Sequence, residues 1–271
     1  MSGWQPTQIE SQHQFAVDSR TRPMLVETDA GRAVVKAMEN PAGPQALVRE
    51  LIGTRLARLI GLPVFDFAVI DHDGLVPLVL SDGTAVAPGP LFAARWEEGT
   101  PWNGKNQLAR IENQDDISRL VVFDCWIQNF DRYTKLGGAN RGNVFLSTER
   151  AEEGRFRLLA IDHTHCLLGR RVDADHIGGG HVTDPTVYSL FDEFRPFLTA
   201  EALQNAADTI KSFRGGQLYT SCGGLPTNWV GSDFNPAPLV DFLTQRAAWI
   251  PGFVEQTLFP SPPQQELSFE D

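Results

Sequence analysis

Apolar positions recur with two different periods along this chain, and the pattern changes near Asn113. In MLVETDAGRAVVKAME (24–39), apolar residues alternate with polar ones on both sides of Asp29-Ala30-Gly31, which predicts a hairpin of two short strands ending near Lys36. After the loop Asn40-Pro41-Ala42-Gly43-Pro44, residues Leu47, Leu51, Ile52, Leu56, Leu59 and Ile60 fall at helical spacing, and Gly61 reads as the stop. The run 63–87 then breaks into short apolar pieces punctuated by Asp-Gly turns, the mark of antiparallel strands. The first ninety residues therefore read as a strand, helix, strand layer.

Beyond Asn113, DDISRLVVFDCWIQNF (115–130) predicts a mostly buried helix that opens on two acidic residues. A polar loop, DRYTKLGGANRGN (131–143), separates it from VFLST and RFRLLAID, which predict a second hairpin whose second strand ends at Asp162. Residues 198–213 and 237–258 carry helical patterns, with glycine-rich loops at 177–181, 215–216 and 223–224. The tryptophans of ARWEEGTPW and GGLPTNWV read as packing anchors beside turns, with a peptide groove as the alternative. The Pro-rich, acidic residues 261–271 are expected to be disordered.

Charge narrows the partners. With 34 acidic against 23 basic residues the net charge is −11, which disfavours an electrostatic grip on nucleic acid or anionic lipid. No apolar run approaches the roughly 20 residues of a membrane span, and the N-terminal residues lack a basic and apolar leader, so a cytoplasmic protein is expected. Cys125, Cys166 and Cys222 form no CxxC pair and read as buried free thiols.

The loop 131–143 gathers Asp131, Arg132, Asn140, Arg141 and Asn143 between two regular elements, where sites are built. Phosphoryl transfer in protein kinases uses an Asp that can take a hydroxyl proton, then an Asn and a second Asp that hold Mg²⁺. The order here is Asp131, Asn143, Asp162. Turn formation is the plainer reading of each residue alone. Asp162, however, closes the apolar run LLAI, where a carboxylate is costly unless solvated, paired or metal-bound. A strand lysine paired with a helix glutamate completes such a site, and Lys36 and Glu50 fit, against the alternatives of a surface charge and a carboxylate placed by the helix dipole. No G-x-G-x-x-G is present, and Gly31 is the one glycine in the hairpin turn available to approach a nucleotide.

Two other readings use the same residues. IDHTHC could gather a transition metal for hydrolysis through His163, His165 and Cys166, with His176 or His181, although His163 and His165 would share a strand face that Cys166 does not. A kinase fold that only binds nucleotide or a partner is the second.

The stretches GRAVVKAMENPAG, LVRELIGTRLARLIGLPV, LFAARW, DCWIQNFDR, NRGNVFL and LLAIDHTHCL, which cover most of residues 30–168, resemble the HipA-like kinases, bacterial proteins similar to the HipA toxin kinase and more distantly to phosphatidylinositol kinases. The resemblance implies an α+β, two-lobed protein-kinase-like fold: a small β-rich lobe with one helix over residues 1–97 and a mainly helical catalytic lobe over 98–260. It implies a Ser/Thr protein kinase using ATP and Mg²⁺, with a protein or small-molecule hydroxyl as acceptor and an antitoxin-like regulator as a further partner. Lys36 becomes the phosphate-binding lysine, Glu50 its partner, Asp131 the catalytic base, and Asn143 and Asp162 the metal ligands. Arg132 and His163 orient the groups they flank, and LFAARW lies near the hinge facing adenine. The chain departs from the pattern in that Asn143 follows Asp131 by twelve residues rather than about five, because YTKLGGA is interposed. Asn140 is the fallback. Tyr133 also stands where family members often carry His.

Overall fold

The computed structural model describes residues 3–15, 19, 21–135, 138–169, 171–172, 177 and 181–258, so the expected disorder of 261–271 and the candidate ligand His176 lie outside the described residues. Five antiparallel strands, β1 (Ile9–His13), β2 (Met24–Thr28), β3 (Gly31–Lys36), β4 (Phe67–His72) and β5 (Gly89–Arg95), form one sheet in the order β1-β2-β3-β5-β4. β1 lies in a polar stretch that carries no alternation, and the pattern missed it. Conversely, the strands expected within 73–87 reduce to one bridge, Val79 with Ala85.

Strand alternation gives the sheet two different faces. Val35, Leu91 and Ala93 turn toward a core closed by Trp4, Leu78, Leu80 and Val86. Phe92, paired across from Lys36, turns to the other face and joins the larger core of the molecule. That second face meets α1 (Pro44–Leu59). Pro44 opens the helix, where a missing N–H costs nothing, and Gly61 at φ +79 lets the chain turn away after it. Every residue from Ala46 to Thr54 is buried. The helix is thus enclosed nearly all round, and Arg49, Glu50 and Thr54 go inside with the leucines.

The remainder combines a three-stranded sheet with helices. β6 (Gly99–Pro101), β9 (Val144–Ser147) and β10 (Arg157–Ala160) pair in the order β10-β9-β6, and β7 (Tyr133–Thr134) pairs with β8 (Gly138–Ala139) as a separate hairpin. The helices are α2 (Asp115–Ile127), α3 (Ala200–Lys211), α4 (Gly215–Cys222), α5 (Thr227–Val230) and α6 (Ala237–Phe253). Antiparallel sheets combined with helices, most of which follow the last strand, make this an α+β fold.

Three boundaries differ from the pattern. α2 stops at Ile127 because Gln128 takes a left-handed conformation, φ +53. β10 ends at Ala160, two residues before Asp162. Gly215 and Gly216 open helix α4 instead of forming a loop: at a first turn glycine escapes the cost it carries in a helix interior, and the Gln217 side chain accepts from the Arg214 N–H at 3.0 Å. Trp102 and Trp229 are buried, which sets aside the peptide-groove alternative for them, and all three cysteines are buried and free. Among the described residues no helix is long and apolar enough to cross a membrane.

Candidate active site

Lys36 ends β3 on the face that looks at α1, and Glu50 comes to it from the second turn of that helix. Lys36 Nζ lies 3.0 Å from Glu50 Oε2 and 3.2 Å from Asp162 Oδ1, so one buried ammonium joins three elements separated in sequence. Glu50 Oε2 also accepts the His163 N–H at 3.0 Å, and Asp162 Oδ1 accepts the Thr164 hydroxyl at 2.6 Å. Asp162 adopts φ +56, a left-handed conformation that is uncommon outside glycine and that Asp tolerates better than most residues.

Burial would lower the pKa of Lys36, but the charges of Asp162 and Glu50 outweigh it and hold the lysine protonated. Burial would likewise raise Asp162, and Lys36 together with Thr164 keeps it well below the usual carboxylate range. For Glu50 burial wins over Lys36, and the pKa is pushed up to about 7. One cation faces two carboxylates, so the cluster is short of positive charge. That shortage, with carboxylate and amide oxygens as donors, fits Mg²⁺, which favours hard oxygen ligands and keeps waters of its own.

Asp131 is held by both asparagines: Asn143 Nδ2 donates to its Oδ2 at 3.0 Å and Asn140 Nδ2 at 3.2 Å. The described residues give the other oxygen, Oδ1, no partner. The interposed hairpin explains how a spacing of twelve becomes a contact. Tyr133 pairs with Ala139 and Thr134 with Gly138, and the Asn140 N–H donates to the Arg132 carbonyl at 2.8 Å. The two ends of this span, 133–134 and 138–139, are thereby brought together, and with 133–139 left out of the count Asn143 stands five positions after Asp131, as in DRNRGN. Asn143 is also tied toward Asp162, since its carbonyl accepts the Ile161 N–H at 3.2 Å. Asn140 has no such tie and is exposed.

Arg132 lies inside the protein and not at an open surface. Its side chain has no exposed surface and points inward: Nε donates to Asp124 Oδ2 at 2.6 Å, and Nη1 donates to the carbonyls of Asn143 and Ile161. It therefore cannot touch a substrate, and it ties the loop to the segment leading into Asp162. Asp124, which also accepts from Asn129 and Ser189, was missed. The signal was a lone carboxylate inside the apolar run VVFDCWI.

In the register Thr28 pairs with Gly31 and Met24 with Val35, while His13 pairs with Leu25. Gly31 thus lies at the opposite end of β3 from Lys36, roughly 16 Å away at about 3.3 Å per residue. β1 leaves and β2 enters the sheet at Lys36's end, and the intervening sequence 14–23 contains no glycine. LFAARW is largely strand: the N–H groups of Arg95 and Trp96 are bonded to the carbonyls of Asp66 and Arg32, and the chain crosses between the two sheets at 96–98. There Glu97 is buried against Ser147 and Arg150, and burial raises its pKa against the pull of Arg150.

Among the described residues the histidines do not form a ligand set. His163 is fully buried, packed on Phe123 and on Gly53 of α1, where a Cβ would lie 2.4 Å from its own. His165 turns to Phe130, and burial raises the Cys166 thiol. Among the described residues no group of three or more His, Cys, Asp or Glu gathers to hold a metal ion.

Against known proteins, the family description "HipA-like kinase" matches residues 11–248. Among solved structures the chain is similar to the Helicobacter pylori proinflammatory kinase CtkA, with 11% identity, a TM-score of 0.53, and coverage of 91% of this chain and 95% of that one, a likeness of fold alone. No curated protein matches the chain. The family match takes in Lys36, Glu50, Asp131, Asn143 and Asp162 alike, and on it the chain belongs to the HipA-like kinase family and is a kinase-type phosphotransferase.

Proposed function

We propose that this chain transfers the γ-phosphoryl group of ATP, with Mg²⁺, to the hydroxyl of a protein Ser or Thr. The observation that carries the reading is the buried Lys36–Glu50–Asp162 cluster, joined through Asn143 and Ile161 to an Asp131 carboxylate with one oxygen to spare. Lys36 holds phosphate oxygens and Glu50 keeps its ammonium in place. Asp162 and the Asn143 amide oxygen are the Mg²⁺ ligands, and Mg²⁺, when bound, supplies neutralisation of charge developing on the phosphates. Asp131 Oδ1 accepts the acceptor's hydroxyl hydrogen, which orients the oxygen for attack on the γ-phosphorus while its proton passes to the carboxylate. Residues 1–97 and 98–260 act as two lobes around this site, a division supported by the crossing at 96–98.

The test is incubation of the purified protein with γ-labelled ATP and Mg²⁺, alone and with cell extract, beside Asp131→Ala and Asp162→Ala. We expect label on Ser or Thr with the wild type only. Asp131→Ala should keep Mg²⁺-dependent ATP binding, and Asp162→Ala should lose it. Normal turnover in either variant refutes the assignment, and ATP binding without transfer by the wild type identifies a nucleotide-binding module.

A further inference from the structure

Lys36 can meet Glu50 only while α1 lies against the sheet, so whatever presses on the back of that helix bears on the site. Gln45 and Arg55 connect its back to the C-terminal half, beside Arg49, whose Nε donates to the Thr164 carbonyl at 2.6 Å. Near its start, the Gln45 side-chain amide donates to the Trp229 carbonyl at 3.4 Å and accepts the Val172 N–H at 3.1 Å. Near its end, Arg55 Nη1 donates to the Gly223 carbonyl at 2.7 Å and to Ser221 at 3.4 Å, the carbonyls left over where α4 stops. Glu50 is five residues from each anchor. At about 100° per residue, Gln45 and Arg55 sit on the side of α1 turned away from Glu50.

The segment between these anchor points is itself fixed. Trp229, 2% exposed, donates its indole N–H to the Pro90 carbonyl at the start of β5, 3.2 Å away. Residues 221–229 therefore run from the end of α4, across the back of α1, to the same sheet that carries Lys36. α1 packs on both α4 and α5.

We propose that residues 221–229 are a strap that seats α1, with Gln45, Arg55 and Trp229 as positioning residues for the Lys36–Glu50 pair. In protein kinases the corresponding ion pair is a point of control through helix position. Here the strap builds the engaged position into the fold, and nucleotide binding needs no prior swing of α1. The inference rests on the proposed role of Lys36 and Glu50 in holding ATP.

The experiment compares wild type, Trp229→Ala, Trp229→Phe and Arg55→Met by amide hydrogen exchange, reading α1 against α6, and by calorimetric titration with Mg²⁺ and ATP. Trp229→Ala should speed exchange in α1 and weaken Mg²⁺–ATP binding, each by about tenfold, the scale of a lost buried hydrogen bond and its packing. Trp229→Phe, which refills the space, should recover part of both. Arg55→Met should loosen α1 from the other anchor and serves the same test if Trp229→Ala does not fold. Unchanged α1 exchange in these variants overturns the strap whether or not ATP binds. A loosened α1 with unchanged affinity overturns its positioning role. A wild type that does not bind Mg²⁺–ATP overturns the proposed function, and the exchange data still decide the strap.

Discussion

Asp124 and Arg132 have no exposed side-chain surface, so each depends on the other in place of water. Removing one partner of such a pair strands the other, at a cost of about 3–5 kcal/mol. Arg132→Met should therefore lower the urea midpoint steeply, and a loss under about 1 kcal/mol would mean that the interior at Asp124 is wetter than its burial implies. Glu50 gives a prediction with a sign. Its carboxyl is raised from 4.5 to about 7, so between those pH values the folded, nucleotide-free chain keeps a proton that the unfolded chain has released. That contribution to stability is full below about pH 4.5 and is lost as pH rises through about 7. Asp162, depressed, loses its contribution only below its ordinary 3.8, outside this window. His163, kept neutral by burial, slopes the other way below 6.5, so the difference between wild type and Glu50→Gln isolates Glu50. Melting temperatures from pH 7.5 to 5.5 should rise more in the wild type than in Glu50→Gln, and parallel curves would place the Glu50 pKa near its ordinary value. Asp162 was legible because it stands after LLAI, where an ordinary fold would not leave a charge, whereas Lys36 and Glu50, each with an ordinary reading of its own, were singled out by what a kinase-like site demands. Arg132 was legible as a site residue and not as a buried one, since its neighbours along the chain are polar while its partners are distant.

At the scale of elements, the β7–β8 hairpin closes over its own base and leaves Asn143 beside Asp131. Its closure depends on one backbone bond, Asn140 N–H to the Arg132 carbonyl, beneath two strand pairs. Asn140→Ala removes only one of two amides from Asp131. Asn140→Pro removes the backbone donor as well and restricts Tyr133–Ala139 from closing. We expect Asn140→Pro to weaken Mg²⁺-dependent ATP binding clearly more than Asn140→Ala does, through displacement of Asn143, in a titration of the two variants side by side. Equal effects would show that Asn143 holds its place without the closure. Sequence spacing alone reads twelve residues as a distance, whereas antiparallel pairing folds seven of them out of the path. The same limit hid β1, whose polar edge-strand residues show no alternation, and α4, whose opening glycines resemble a loop until the backbone is seen to carry them into a first turn.

Across the whole molecule the site lies where the sheet's second face meets the larger core, and which end of each strand arrives there is a matter of topology. The pattern supplied the hairpin of β2 and β3 and the helix after it, yet it could not tell which end of the hairpin faces Asp162. Hydrophobic periodicity assigns faces, and only the pairing of distant strands assigns ends. The register puts His13, Met24 and Lys36 together at one end and Ile9, Thr28 and Gly31 at the other. Gly31 is nevertheless under a constraint of its own, since at φ +97 a side chain would be strained even though nothing stands within 4 Å of an added Cβ. Gly31→Ala should therefore cost stability, by about 1 kcal/mol or somewhat more, while leaving the affinity for Mg²⁺–ATP unchanged. Denaturant unfolding and nucleotide titration of that one variant measure the two separately. Lost affinity at intact stability would bring the β2–β3 turn back to the nucleotide and overturn the placement of the site at the 14–23 end of the sheet.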